Sequence, residues 1–315
     1  MRPLRFGVTA SPSGSPSQWK DLAAKAEDLG YDVILLADHM GRQWAPLLAA
    51  LAAAEATARL RVGIQVIAND FRHPAVLAKE VATLDLLTGG RFEFGIGVGH
   101  PPTSPTGRSD YALLGMKMDE PGVRVARLEE SVRIIKRFLT SPEPFDFDGK
   151  FFRLKGVEPQ PRPAQQPGPP VMIAGAGPRM LRLAGREADI VNIAPRPPTK
   201  GTTSRGSTGF GLTIHDELAL IRQGAGDRYD SLELCVFADR AAVTDDPAPE
   251  AEALAAEFGI GLEALHEMPH TLIGPPGLLE ERVLEHREKY GVSYRIVPGG
   301  LMDAFAPVVR RLAGK

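Results

Sequence analysis

Asp38 and His39 close the apolar run GYDVILLADH, which places two ionisable side chains at the end of a buried segment. Histidine titrates near neutrality and can carry a proton to or from a substrate, and a neighbouring carboxylate can orient it and raise its basicity. The pair therefore reads as a candidate acid–base unit, with Asp38 orienting His39. The plain alternative is a loop aspartate that caps the next helix beside an exposed histidine. Gly95, Gly97 and Gly99 occupy alternate positions, so they leave one face of a strand without side chains, where a flat ring could approach the backbone. Their GxGxG spacing is not the GxGxxG of dinucleotide folds. Ala174, Gly175, Ala176 and Gly177 precede Pro178 and Arg179 at the start of a helix. Backbone N–H groups there can converge on an anion such as a phosphate, with Arg179 adding charge.

Other residues carry weaker signals. Asn69, Asp70, Arg72 and His73 fill a polar turn, and His73 before Pro74 reads best as a helix start. His215, His266, His270 and His286 lack metal-ligand spacing, so no metal site is expected. Neither a GxSxG sequence nor a usable Cys/His pair points to nucleophilic catalysis. Trp44, Phe71 and Tyr111 could wall a substrate pocket, although scattered aromatics more often pack.

These residues need a scaffold, and the chain supplies an alternation. Strands are expected at Phe6–Thr9, Val33–Ala37, Val62–Ile67, Phe92–Gly97, Val171–Ala174, Ile190–Ile193, Leu232–Phe237 and Tyr294–Val297. Amphipathic helices are expected at Ser17–Leu29, Ala45–Thr57, Pro74–Leu87, Val123–Leu139, Arg179–Glu187, Asp216–Gln223, Glu250–Phe258, Leu278–Tyr290 and Asp303–Leu312. Eight strands interleaved with helices is the count of a (βα)8 TIM barrel, an α/β fold, here as one domain over residues 1–315. A doubly wound open sheet is the structural alternative. Three segments interrupt the alternation: Pro101–Gly122 after the fourth strand, Phe145–Leu154 between the fourth helix and fifth strand, and Pro195–Gly211 after the sixth strand. The second carries an Asp-Gly turn between alternating aromatics, a hairpin signal.

Composition narrows the class. With 37 basic and 39 acidic residues and no basic stripe, nucleic acid is an unexpected partner. No apolar run approaches a membrane span and the first residues lack a signal-peptide core, so a cytoplasmic protein is expected. The single cysteine, Cys235, sits in LELCVFA and reads as a packed core thiol.

Taken in order, GYDVILLADH, the run Val62–Gly99, Ser109–Leu139, PPVMIAGAGPRMLRLAGREADIVNI and YGVSYRIVPGGLMDAFAPVVRRLAG resemble the bacterial luciferase-like family, specifically its coenzyme F420-dependent oxidoreductase branch. The resemblance implies a (βα)8 barrel with the deazaflavin ring across its mouth. It matches Asp38 and His39 to the polar pair beside the ring, and Gln65–Val66 to a bulged third-strand segment, often a non-prolyl cis peptide. Asn69 is assigned to the same cofactor site, Val98, Gly99 and His100 match the residues after strand four, and Ala174–Gly177 match the phosphate segment. At His100 the chain departs from the family's sugar-phosphate dehydrogenases, which carry an acidic residue there, and no lysine pair stands ready for a substrate phosphate. The implied activity is hydride transfer between deazaflavin C5 and a small organic molecule, with His39 the proton donor or acceptor. One alternative is an FMN-dependent monooxygenase fed by a separate flavin reductase, another a barrel that binds flavin or deazaflavin without turnover. A phosphate-binding isomerase or aldolase is weaker, because no strand end offers a catalytic lysine. A homodimer is expected, with a flavin or F420 reductase as partner where the cofactor must arrive reduced.

Overall fold

The structure, a computed structural model, describes residues 1–100, 103–194 and 212–315. The chain packs as two compact units, Met1–Ala10 with Lys25–Ile34 and Ala174–Lys315, and Ser11–Ala24 with Leu35–Ile173.

In the first unit the strands Arg5–Ala10, Val292–Val297, Glu233–Phe237 and Ile190–Ile193 are neighbours in that order, all parallel. They are built from Val, Ile, Leu and Phe on both faces, as strands covered on both sides must be. In the second unit Phe92–Gly97 pairs in parallel with Arg61–Ile64, with Ile67–Ala68 and with Val171–Ile173. Val33–Leu36 and Val171–Gly175 each straddle the boundary between the units in sequence. Counting the interrupted third strand once gives eight parallel strands, each followed by a helix, and the fold is a (βα)8 TIM barrel. No helix among the described residues is long and apolar enough to cross a membrane.

Punctuation in the sequence sets these elements. Proline stands in the first turn of helices Pro46–Glu55, Pro74–Leu87, Pro121–Thr140, Pro178–Glu187 and Pro276–Tyr290, where its missing N–H costs nothing. His73 caps Pro74–Leu87, its Nδ1 accepting from Ala75 N at 3.3 Å, so the helix-start reading holds. The Asp148–Gly149 hairpin forms as expected, Phe145–Asp148 running antiparallel to Arg153–Val157. Cys235 is fully buried in its strand.

Three features differ from the expectation. The third strand does not run unbroken to Ile67: it stops at Ile64, Gln65–Val66 is a non-prolyl cis peptide, and pairing resumes at Ile67. The segment Pro101–Gly122 is not all loop, because Ser104 caps a helix over Pro105–Leu113 by accepting from Gly107 N. After the seventh strand, Arg240–Val243 pairs in parallel with Thr271–Gly274 around a small core of Leu254, Phe258, Leu265 and Met268. Strands this short carry little periodicity. The third insertion, Pro195–Gly211, lies outside the described residues.

Gly95 shows how closely the third and fourth strands approach at the interruption. A Cβ there would stand 1.9 Å from the Ile64 carbonyl oxygen and 3.2 Å from Val66 Cγ1. Gly95→Ala must therefore push backbone aside. We expect it to cost about 1–3 kcal/mol of stability, read from urea unfolding.

Candidate active site

Within the second unit, the end of the second strand, the turn after the third and the segment after the fourth come together. Asp38, buried to 6 % exposure, accepts Arg72 Nη2 on Oδ1 at 3.1 Å, and on Oδ2 both the Ala68 N–H at 3.0 Å and Arg72 Nη1. It thereby ties the second strand to the turn after the third.

His39 turns the other way. Its Nδ1 lies 2.9 Å from Asp110 Oδ2, and Asp110 Oδ1 accepts from Met40 N at 3.0 Å. This corrects the expected role of Asp38: the carboxylate that orients His39 is Asp110, on the helix Pro105–Leu113. Successive residues of an extended segment project oppositely, so Asp38 and His39 cannot easily meet. With a carboxylate on Nδ1, that nitrogen carries hydrogen and Nε2 is left to give or take a proton. The side chain of His39 is 28 % exposed, while that of Asp110 is 5 % exposed. A partly open acid–base group backed by a buried anchor is what proton transfer requires.

The His39 ring stacks on His100, with centroids 5.0 Å apart and planes 27° from parallel. Burial holds the His100 imidazole below its usual pKa, and the charges of His39 and Arg124 lower it further while Asp110 opposes them. The unfolded imidazole takes up a proton near pH 6.5 and the folded one only at lower pH, so in that window the unfolded chain binds more protons. Stability is present above pH 6.5 and falls as acid is added. Urea midpoints from pH 7.5 downward should show this decline, and His100→Gln should flatten it.

Behind His100 lies a second buried group. The Asp70 carboxylate pairs with Arg127 Nη1 at 2.9 Å and Arg124 Nε at 3.5 Å, and accepts the Tyr111 hydroxyl at 2.6 Å. Burial and the hydrogen bond to Asp70 raise the Tyr111 hydroxyl above its usual range, so it stays a donor. Tyr111 packs edge-on against Phe71 and under Arg124, so it braces this network. Arg124 donates onward to the carbonyls of Val98 and His100, fixing Val98–Gly99–His100, where Gly99 takes φ +71°. Asn69 is buried, its amide 3.4 Å from Asp70 Oδ1. Gln65 and Val66 are half-buried at the strand break.

In the first unit, Ala174 and Gly175 end the fifth strand, and Ala176–Gly177 turn into the helix Pro178–Glu187. Gly177 is its N-cap at φ +96°, a conformation that favours glycine, and no side chain caps the helix. A Cβ on Gly175 would come within 2.9 Å of Met180. Arg179 is exposed in the first turn.

Sequence reasoning missed Asp110, Arg124 and Arg127, and named Asp70 and Arg72 without a role. Ser104–Pro105, a cap residue before proline, was the available signal for the helix that carries Asp110.

A 4-hydroxyprotoasukamycin monooxygenase from Streptomyces nodosus subsp. asukaensis is 32 % identical over 213 residues, 62 % of this chain and 55 % of that protein. An F420-dependent glucose-6-phosphate dehydrogenase from Mycobacterium tuberculosis is 30 % identical over 285 residues, 87 % of this chain and 79 % of that protein. Against several such relatives the chain spans little more than half their length, 55–56 %. The solved coenzyme F420 dependent tetrahydromethanopterin reductase from Methanopyrus kandleri shares the fold at a TM-score of 0.76 and 19 % identity, covering 99 % of this chain and 98 % of that one. Residues 2–208 match the family model for luciferase-like monooxygenases. A match that runs from before the first strand to beyond the sixth makes this chain a member of the luciferase-like monooxygenase family.

Proposed function

We propose that the protein is an F420-dependent oxidoreductase acting on a small organic substrate. The deazaflavin, when bound, supplies a carbon that exchanges hydride with substrate. The observation that carries the reading is the His39–Asp110 pair. Moving hydride to or from an oxygen-bearing carbon also moves a proton, and His39 Nε2 is the atom placed to give or take it. Asp110 holds the ring in register in either direction of reaction.

The residues present fit such a group. Gly99 is half-buried just after the fourth strand, and Arg124 holds that segment by donating to the His100 carbonyl. Gln65–Val66 would back the ring, with Asp38, Asn69, Val98 and His100 at its margin. By itself, Ala174–Gly177 offers N–H groups at a helix N-terminus without a side-chain cap, suited to an anionic group such as a phosphate, with Arg179 adding charge. His100 stands where the family's sugar-phosphate dehydrogenases are expected to carry an acidic residue, so a substrate other than a sugar phosphate is favoured.

A second reading is an FMN-dependent monooxygenase that receives reduced flavin from a separate reductase; what supports it is that the Streptomyces relative is named a monooxygenase. Titrating the protein with F420 and with FMN, followed by a substrate panel with and without oxygen, separates the two. F420 binding with oxygen-independent turnover is expected. Tight FMN binding with no F420 binding would overturn the proposal.

The chain is proposed to act as a homodimer. Leu48, Val76 and Leu87 are 72 %, 56 % and 60 % exposed on the adjacent helices Pro46–Glu55 and Pro74–Leu87, an apolar face that water disfavours. Light scattering on the eluting protein gives the mass that tests it.

A further inference from the structure

Arg295, in the strand Val292–Val297, is wholly buried. Its Nη1 donates to the Pro269 carbonyl at 2.6 Å, while Nε and Nη2 find no acceptor. Those two nitrogens share one edge of the guanidinium, the fork that takes acceptors side-on. Among the described residues no carboxylate pairs with it, and Cys235 is the one ionisable group whose charge would favour it. Burial pushes the guanidinium down to about 10, so it remains charged at neutral pH.

The neighbours do not neutralise it. His270 and His286 are lowered to about 4 and about 3, chiefly by burial, with the Arg295 charge adding to the shift. Both imidazoles are therefore neutral at neutral pH. Each meets a backbone carbonyl through Nε2, at Ile193 for His270 and at His266 for His286. An interior cation without a counter-charge costs several kcal/mol, and folded chains normally offset such a charge.

Two further buried hydroxyls lie close in sequence to Arg295 and to its partner Pro269. Ser293 lies two residues before Arg295, so its side chain leaves the same face of the strand, and Thr271 lies two residues after Pro269. Ser293 Oγ and Thr271 Oγ1 are both buried and without a partner. A hydroxyl turns freely and donates to a negative charge as readily as it accepts.

We propose that the Nε/Nη2 edge of Arg295 binds a small monovalent anion, chloride- or formate-sized, in the layer between the strand Val292–Val297 and the helix Pro276–Tyr290. The anion would supply the missing counter-charge, with Ser293 as a further donor, and would stabilise the first unit by mass action. This site is separate from the proposed hydride chemistry and does not depend on it.

The test is thermal unfolding at fixed ionic strength, with gluconate replaced stepwise by chloride and, in a second series, by formate. The midpoint should rise with the logarithm of the small-anion concentration in at least one series. Arg295→Gln should abolish that rise, and Ser293→Ala should shift it to higher concentration. Crystals soaked in bromide should show an anomalous peak within hydrogen-bond distance of Arg295 Nε and Nη2, a readout that holds even where Arg295→Gln fails to fold. Midpoints indifferent to both anions, or a rise that persists in Arg295→Gln, would overturn the proposal. So would a crystal structure with only water, or with His286 Nδ1, on that edge of Arg295.

Discussion

His39→Ala is expected to lower kcat by about 10²–10⁴-fold while leaving coenzyme affinity within a few-fold of the parent. The split follows from the geometry. His39 is partly exposed, held through Nδ1 and by its stacking on His100, so its removal opens no core cavity. What disappears is the proposed proton carrier, and a positioned acid–base group contributes about that range of rate. Asp110→Asn should lower kcat by less, because an amide can still accept the Met40 N–H but offers Nδ1 either a donor or an uncharged acceptor, and so orients the ring less firmly. Stopped-flow recording of coenzyme absorbance, beside an equilibrium titration, separates rate from binding. Full turnover in His39→Ala with coenzyme bound would remove the proton role from this residue.

The Asp110 partnership also shows where sequence reading ends. Strand positions were legible because buried parallel strands are written as dense Val, Ile and Leu runs between glycine and proline breaks. Phe92–Gly97 and Ile190–Ile193 were placed to the residue, and the hairpin announced itself in Asp148–Gly149. His39 was visible as an ionisable residue closing an apolar run. Its partner was not, since residues 39 and 110 are 71 positions apart and their meeting is a tertiary event. The nearest carboxylate in sequence, Asp38, was the natural choice. Strand alternation argues against it, and Asp38 in fact serves Arg72 and the Ala68 N–H. The helix that brings Asp110 was hidden by its composition, because PTGRSDYAL has too few apolar residues to show a period. The cis peptide at Gln65–Val66 has no signature in propensity, and only the family resemblance pointed to it.

Arg124→Met is expected to destabilise the protein by about 3–5 kcal/mol, the cost of leaving a buried charge without one of its partners. Arg124 is 1 % exposed, and the Asp70 side chain it faces is 2 % exposed. Arg127 stays on Asp70 at 2.9 Å, but it is more exposed and shared with Asp119, so it offsets the loss only in part. The carbonyls of Val98 and His100 lose their donor at the same time, which loosens the segment proposed to border the ring. Two consequences can therefore be separated. Urea unfolding of Arg124→Met, Asp70→Asn and the double variant forms a cycle in which neutralising Asp70 should recover part of the stability lost at Arg124. Coenzyme affinity should not recover, because Asp70→Asn does nothing for the two carbonyls. A loss below about 1 kcal/mol in Arg124→Met would mean that Arg127 alone compensates Asp70. Recovery of stability and affinity together would mean that the backbone after the fourth strand is held by its own packing rather than by Arg124.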